Sequence, residues 1–163
     1  MRVVVFSDSH GDFATLRKVV EARPDADLFL HLGDGEREFR QLQQLFPEKE
    51  MRFVQGNNDW SSDAETVDLL RLEGKRILMA HGHTFTVKHG LERLEAYGRG
   101  VGADAVLYGH DHIAAIHYED GLYLINPGSI TTVPHGKPSY AMLDITREAL
   151  VPNIVWIKPE RKV

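Results

Sequence analysis

Cysteine is absent from all 163 residues, which excludes disulfides, thiolate metal sites and cysteine nucleophiles together. Such a chain suits a reducing compartment, and the expected location is the cytoplasm. No apolar run approaches the roughly 20 residues that cross a bilayer, so no membrane partner is expected. Met1 leads directly into Val3-Val4-Val5-Phe6, a run too short for a signal segment. An excess of basic residues is missing too. The 19 Lys and Arg against 24 Asp and Glu give a formal charge of −5, the wrong sign for broad nucleic-acid binding. A phosphate-bearing substrate stays open, because bound cations reverse the sign locally. Repeats, low-complexity tracts and long linkers are also lacking, and the length fits one domain over residues 1–163. Histidine is what the chain has in quantity: nine, several in short clusters with Gly and Asp.

Apolar periodicity predicts alternating strands and helices in the first two thirds. Strands are expected at Val3–Phe6, Leu28–Leu32, Arg52–Val54, Ile77–Ala80 and Ala105–Tyr108. Asp12 is the expected cap of a helix with Phe13, Leu16, Val19 and Val20 on its apolar face. A second helix is expected from Glu36 to Phe46, stopped by Pro47, and a third from about Lys88 to Tyr97. Beyond residue 113 the texture changes to hairpins. Ile113–Tyr118 and Leu122–Ile125 flank Asp120-Gly121, a strong turn signal, and Tyr140–Asp144 and Ile154–Ile157 follow as strands. The expected fold is α/β, with two packed mixed β-sheets flanked by helices.

Five of these strands end in polar clusters: Asp8-Ser9-His10, Gly33-Asp34-Gly35, Gly56-Asn57-Asn58-Asp59, His81-Gly82-His83 and Gly109-His110-Asp111-His112. In α/β sheets ligands bind outside the carboxyl ends of strands. Carboxylate, imidazole and amide oxygen without sulfur suit Mn, Fe, Co, Ni or Zn. Asp8, His10, Asp34, Asn57, His81, His110 and His112 are the candidate metal ligands. Seven are too many for one catalytic ion with an open position and enough for two sharing a carboxylate. Asp34, turned between two glycines, is the best candidate to be shared. Each cluster alone also reads as a turn, a helix cap or a satisfied structural histidine. The set carries the reading.

The ordered motifs D-x-H, G-D, G-N-x-D, H-G-H and G-H-x-H resemble the calcineurin-like metallophosphoesterases. The short length and Asn126-Pro127-Gly128-Ser129 are similar to the small bacterial and archaeal phosphodiesterases of that superfamily. The resemblance implies a four-layer α-β-β-α sandwich and two divalent ions, Mn first among the choices. Asp8, His10 and His112 would hold one, Asn57, His81 and His110 the other, and Asp34 both. It further implies hydrolysis of a small phosphodiester by a hydroxide lying between the ions, and it is compatible with a homodimer. At one position the chain departs from the commoner pattern. The residue after the ligand asparagine is often a catalytic histidine; here it is Asn58, which hydrogen-bonds but cannot act as a general acid at neutral pH.

Around this set, His83 and Asp59 are expected to orient ligands or touch substrate, and His31 to pack behind the site. Asp111 either points away or bonds to a neighbouring ligand. His89, His117 and His135 are expected at the surface or an edge. Trp60, Phe13 and Phe85 form either an apolar wall beside the site or ordinary core. Two other functions compete with the phosphodiesterase. A phosphomonoesterase would draw on basic groups such as Arg17, Arg37 and Arg40, and a non-catalytic scaffold would have no use for the ligand set.

Overall fold

The computed structural model describes residues 1–134 and 136–158; His135 lies outside them. Among the described residues ten strands and three α-helices follow in the order β1 (Arg2–Phe6), α1 (Phe13–Glu21), β2 (Leu28–His31), α2 (Glu36–Leu45), β3 (Met51–Phe53), β4 (Val67–Leu72), β5 (Lys75–Ala80), α3 (Glu92–Gly100), β6 (Ala105–Leu107), β7 (Ala115–Glu119), β8 (Leu122–Asn126), β9 (Ser139–Ile145) and β10 (Leu150–Trp156). They form two mixed five-stranded sheets, ordered β10-β9-β1-β2-β3 and β4-β5-β6-β8-β7.

Strand alternation divides the apolar side chains among three packed layers. Val3 and Val5 of β1, Leu28 and Leu30 of β2, and Ile77 and Met79 of β5 meet between the sheets. Val4, Phe6 and Phe29 point the other way, onto Leu16 and Val20 of α1 and Phe39 and Leu42 of α2. Leu78, Ala80 and Val106 face Leu94 of α3. Central strands buried on both faces lose the apolar–polar alternation of a half-exposed strand, hence the unbroken Val-Val-Val-Phe. The result is the α-β-β-α sandwich. Among the described residues no helix is long and apolar enough to cross a membrane.

Most boundaries fall within a residue or two of expectation, and three features depart further. A strand at Val67–Leu72, interrupted by Asp68 and Arg71, pairs antiparallel with β5 across a Glu73-Gly74 turn and forms a sheet edge. The third helix starts at Glu92 rather than Lys88, because two 3-10 turns, His83–Phe85 and Val87–His89, precede Gly90 at φ 139°. The last strand begins at Leu150, pairing with β9 along its whole length; Pro152 is tolerated there because β10 is an edge.

Candidate metal centre

Parallel pairing of β1 with β2 and of β2 with β3 in one sheet, and of β5 with β6 in the other, points the carboxyl ends of neighbouring strands the same way. The polar clusters therefore converge. Asp8, His10, Asp34, His110 and His112 all adopt positive φ, between 43° and 72°. Non-glycine residues enter this region rarely, and Asn, Asp and His most readily. Such turns bend the chain back sharply after each strand and present the side chains over the sheet ends. Gly56 is demanded by proximity: a Cβ there would fall onto the Asp34 carboxylate.

Two groups of donor atoms result, Asp8–His10–His112 and Asp34–His81–His110, with the atoms of each within 4.8 Å of one another. In the first, His10 Nε2 and His112 Nε2 are 3.2 Å apart, and Asp8 Oδ1 lies 3.2 Å from His112 Nε2 and 3.6 Å from His10 Nε2. In the second, His81 Nε2 lies 3.1 Å from His110 Nδ1, 3.0 Å from Asn57 Oδ1 and 3.4 Å from Asp34 Oδ2. Asp8 Oδ1, 3.8 Å from His81 Nε2, links the two groups. Bonds of about 2.1 Å to one ion place neighbouring donors about 3.0–3.4 Å apart. Every spacing given within the two groups falls in that range except Asp8 Oδ1 to His10 Nε2, slightly longer at 3.6 Å, so both groups fit a divalent cation.

Ring orientation supports the same reading. His81 Nδ1 donates to the Leu32 carbonyl at 2.8 Å, which leaves the Nε2 lone pair facing the donors, as in metal-ligating histidines. Burial pushes the Asp8 carboxyl up, yet hydrogen bonds from His10 and His112 and the charge of His81 hold it below the ordinary range. Burial likewise opposes ionisation of Asp34, but His81 and Asn58 keep it at about 2. The His10 pKa is raised by Asp8. For His81, burial pulls down and Asp34 and Asp8 more than reverse it, while burial and His81 push His110 down to about 4. Two buried carboxylates drawing up neighbouring histidines make a centre that calls for positive charge.

A polar framework holds these groups from behind. Asp59, 8% exposed, accepts four backbone N–H groups: Gly35 and Glu36 on Oδ1 at 3.0 Å, and Asp34 and Gly56 on Oδ2 at 2.8 Å. It thus fixes the Asp34 turn and the start of α2 together. Asn58 grips the Asp34 carboxylate at both oxygens, through its backbone N–H at 2.8 Å and its Nδ2 at 2.7 Å. His31 is fully buried and held neutral, its pKa pushed by burial to about 4. Its Nδ1 accepts from the Gly33 N–H, so Nε2–H donates to Ser9, whose hydroxyl donates to Glu38.

Glu38, Ser7 and Ser9 escaped the sequence reading. Glu38 is 4% exposed and also accepts the Gly11 N–H at 2.6 Å. An acid sharing the inward stripe of Phe39 and Leu42 was the available signal. Ser7 donates to Asp8 Oδ2, which also accepts the His110 N–H. Asp111 turns away from the ligands to Asn126 Nδ2 and the Ile113 N–H, and Ser129 donates to the Asp8 carbonyl. His83 Nδ1 is buried with no hydrogen-bond partner among the described residues, its ring 6.2 Å from that of His110. His89 and His117 are exposed.

Residues 1–148 match the calcineurin-like phosphoesterase superfamily domain. The chain belongs to that family. A probable metallophosphoesterase of Bacillus subtilis, YsnB, is 36% identical over 154 residues, which cover 91% of this chain and 87% of YsnB. Escherichia coli phosphodiesterase YfcE is 36% identical over 74 residues, 45% of this chain and 36% of YfcE. The crystal structure of a predicted phosphoesterase from Streptococcus pneumoniae superposes with a TM-score of 0.82 at 26% identity, covering 95% of this chain and 88% of that one. The protein is thus a metallophosphoesterase, a hydrolase with two candidate metal-binding groups at the ends of its strands.

Proposed function

We propose that this metallophosphoesterase is a phosphodiesterase with a dinuclear centre. Asp8, His10 and His112 would hold one divalent cation, Asn57, His81 and His110 the second, and Asp34 would be shared. Mn is the first choice, with Ni, Fe, Co and Zn as alternatives for the same nitrogen and oxygen donors. Bound ions supply Lewis acidity at the phosphoryl oxygens and lower the pKa of water. The observation that carries the reading is the pair of adjoining donor groups with metal-like spacings.

The chain's own residues do the rest. The Leu32 carbonyl holds His81, and the His31–Ser9–Glu38 relay holds the turns at Gly33 and Gly11, so little reorganisation is left for the reaction. Asn58 keeps the Asp34 carboxylate aimed, and its amide supplies no acid proton; the leaving group departs on its own basicity, which favours activated esters. His83 would orient a ligand or touch substrate. Preference for a diester rests on charge. Arg37 is the single Lys or Arg lining the cleft of about 390 Å³ beside His10 and Asp34, while Arg17 and Arg40 are occupied by Glu21 and Glu36. A monoester, with its extra negative charge, would find little there. The name of YfcE points the same way.

Hydrolysis of bis-p-nitrophenyl phosphate by chelator-stripped protein, with and without Mn, tests the proposal, with p-nitrophenyl phosphate in parallel. Mn-dependent diester hydrolysis that collapses in Asp34→Asn supports it. Faster monoester hydrolysis would transfer the assignment to a phosphomonoesterase, and failure to bind metal would leave a scaffold.

A further inference from the structure

Of the three aromatic residues beside the site loops, two are absorbed by the core. Phe13 packs with the α1–α2 layer, and Phe85 packs in the α3 layer with its ring 5.2 Å from Tyr97. Trp60 differs. It is 88% exposed, and among the described residues no aromatic ring or cation stacks on it. Large aromatics are ordinarily well buried, yet this one follows the most constrained residue in the site. The Asp59 carboxylate holds four backbone amides, and its carbonyl accepts from Gln55 Nε2 and the Ser62 N–H. The indole therefore stands on a fixed base.

Trp60 also lines the cleft that contains His10, Asp34 and Asn58. Arg37 lines it too, and no hydrogen bond or ion pair among the described residues engages its guanidinium. An exposed aromatic face and an unengaged cation beside a phosphate-type centre match an aromatic ring joined to a phosphate. We propose that Trp60 and Arg37 form a subsite for the aromatic portion of the substrate, a nucleobase or aryl group, with Trp60 stacking on the ring and Arg37 meeting the adjoining negative charge. This rests on the phosphodiesterase reading for the placement of the phosphate.

The chain has two tryptophans, so Trp156→Phe leaves Trp60 as the sole indole reporter. Metal-loaded Trp156→Phe protein would be titrated with adenosine 5′-monophosphate, phenyl phosphate and ribose 5-phosphate, the monoester products that diester hydrolysis would leave, while its emission is followed. The aromatic ligands are expected to quench Trp60 saturably and to bind ahead of ribose 5-phosphate; the tighter of the two identifies the ring. Stacking of one base is expected to contribute roughly 5- to 150-fold in affinity. Trp60→Leu, assayed by calorimetry, should reduce the aromatic ligands to the affinity of ribose 5-phosphate. Arg37→Gln should weaken the phosphates without removing the quench. Equal binding of all three ligands, or unchanged aromatic preference in Trp60→Leu, would overturn the subsite. Because these readouts need no turnover, loss of diester hydrolysis with the preference intact would fault the phosphodiesterase reading instead.

Discussion

Replacing Asp59 by asparagine changes one carboxylate oxygen to an amide nitrogen and little else in shape. In the native protein each oxygen accepts two backbone N–H groups. Whichever oxygen is replaced, the new NH2 meets two N–H donors head-on, and two amides, at least one of them buried, lose their acceptor. A buried donor left unsatisfied costs about 1–3 kcal/mol, so the variant is expected to lose about 2–6 kcal/mol. At this chain length each kcal/mol moves the melting temperature by about 2–4 °C, giving a fall of roughly 5–20 °C. The assay is thermal unfolding in excess chelator, so that bound metal adds nothing to the native state. A second readout is Mn affinity at a temperature where the variant is folded. Loosening the Asp34 turn is expected to weaken it by about 10–100-fold, as for other groups that orient metal ligands. A melting temperature within about 2 °C of the native value would refute the argument that Asp59 carries this turn.

Stability of the metal-free protein is expected to peak near pH 6.5. The raised pKa values of His10 and His81 contribute stability that is full below the unfolded value of 6.5 and is lost as pH rises through their folded values. The lowered values of His31 and His110 act on the other side, losing stability as pH falls from 6.5 toward about 4; below that, protonation of Asp34 and Asp8 continues the loss. Urea midpoints from pH 4 to 9 in chelator check this, and a midpoint that rises steadily through pH 8 would refute it; added Mn should cancel the alkaline loss. Gly56→Ala places a methyl on the Asp34 carboxylate and is expected to cost about 1–3 kcal/mol and most of the Mn affinity, read by urea unfolding and metal titration. Asn58→Ala removes one of two hydrogen bonds to Asp34 and should weaken Mn binding while leaving the leaving-group dependence of the rate unchanged, because no acid proton is lost; a steeper dependence in the variant would show that Asn58 acts on the leaving group.

Much of the fold was legible because its central strands are buried on both faces and read as unbroken apolar runs. The same reasoning overlooked β4. Val67–Leu72 lies at an edge, with Asp68, Leu69 and Arg71 wetted, so its pattern resembles that of a loop. Its Glu73-Gly74 turn, both residues at positive φ, was the signal available. The ligands were legible as strand-end clusters, since polar residues after a buried run have few structural explanations when five such runs agree. The framework behind them was not. Glu38 is thirty residues from Asp8 in the chain, and although its place beside Phe39 and Leu42 marks it as inward, nothing local in Glu36–Leu45 shows that it accepts from Ser9 and Gly11.

That framework also accounts for how the strand-end turns of the centre are held. Asp8, His10, Asp34, His110 and His112 adopt a conformation that L-residues avoid by about 1–2 kcal/mol each, and each of them presents a donor atom. Strain confined in this way persists only where surrounding contacts over-determine it. Here Asp59 fixes the Asp34 turn, Ser129 and Ser7 hold Asp8, Glu38 holds Gly11 beside His10, and Asn126 holds the Gly109–Asp111 segment. Each strained turn thus has its own hydrogen-bonded support, made by protein groups alone. It follows that metal should add affinity and charge balance to a site already formed, and that chelation should leave the backbone in place. The opposite outcome, loss of the strand-end turns on metal removal, would make the ions rather than this framework the source of the geometry.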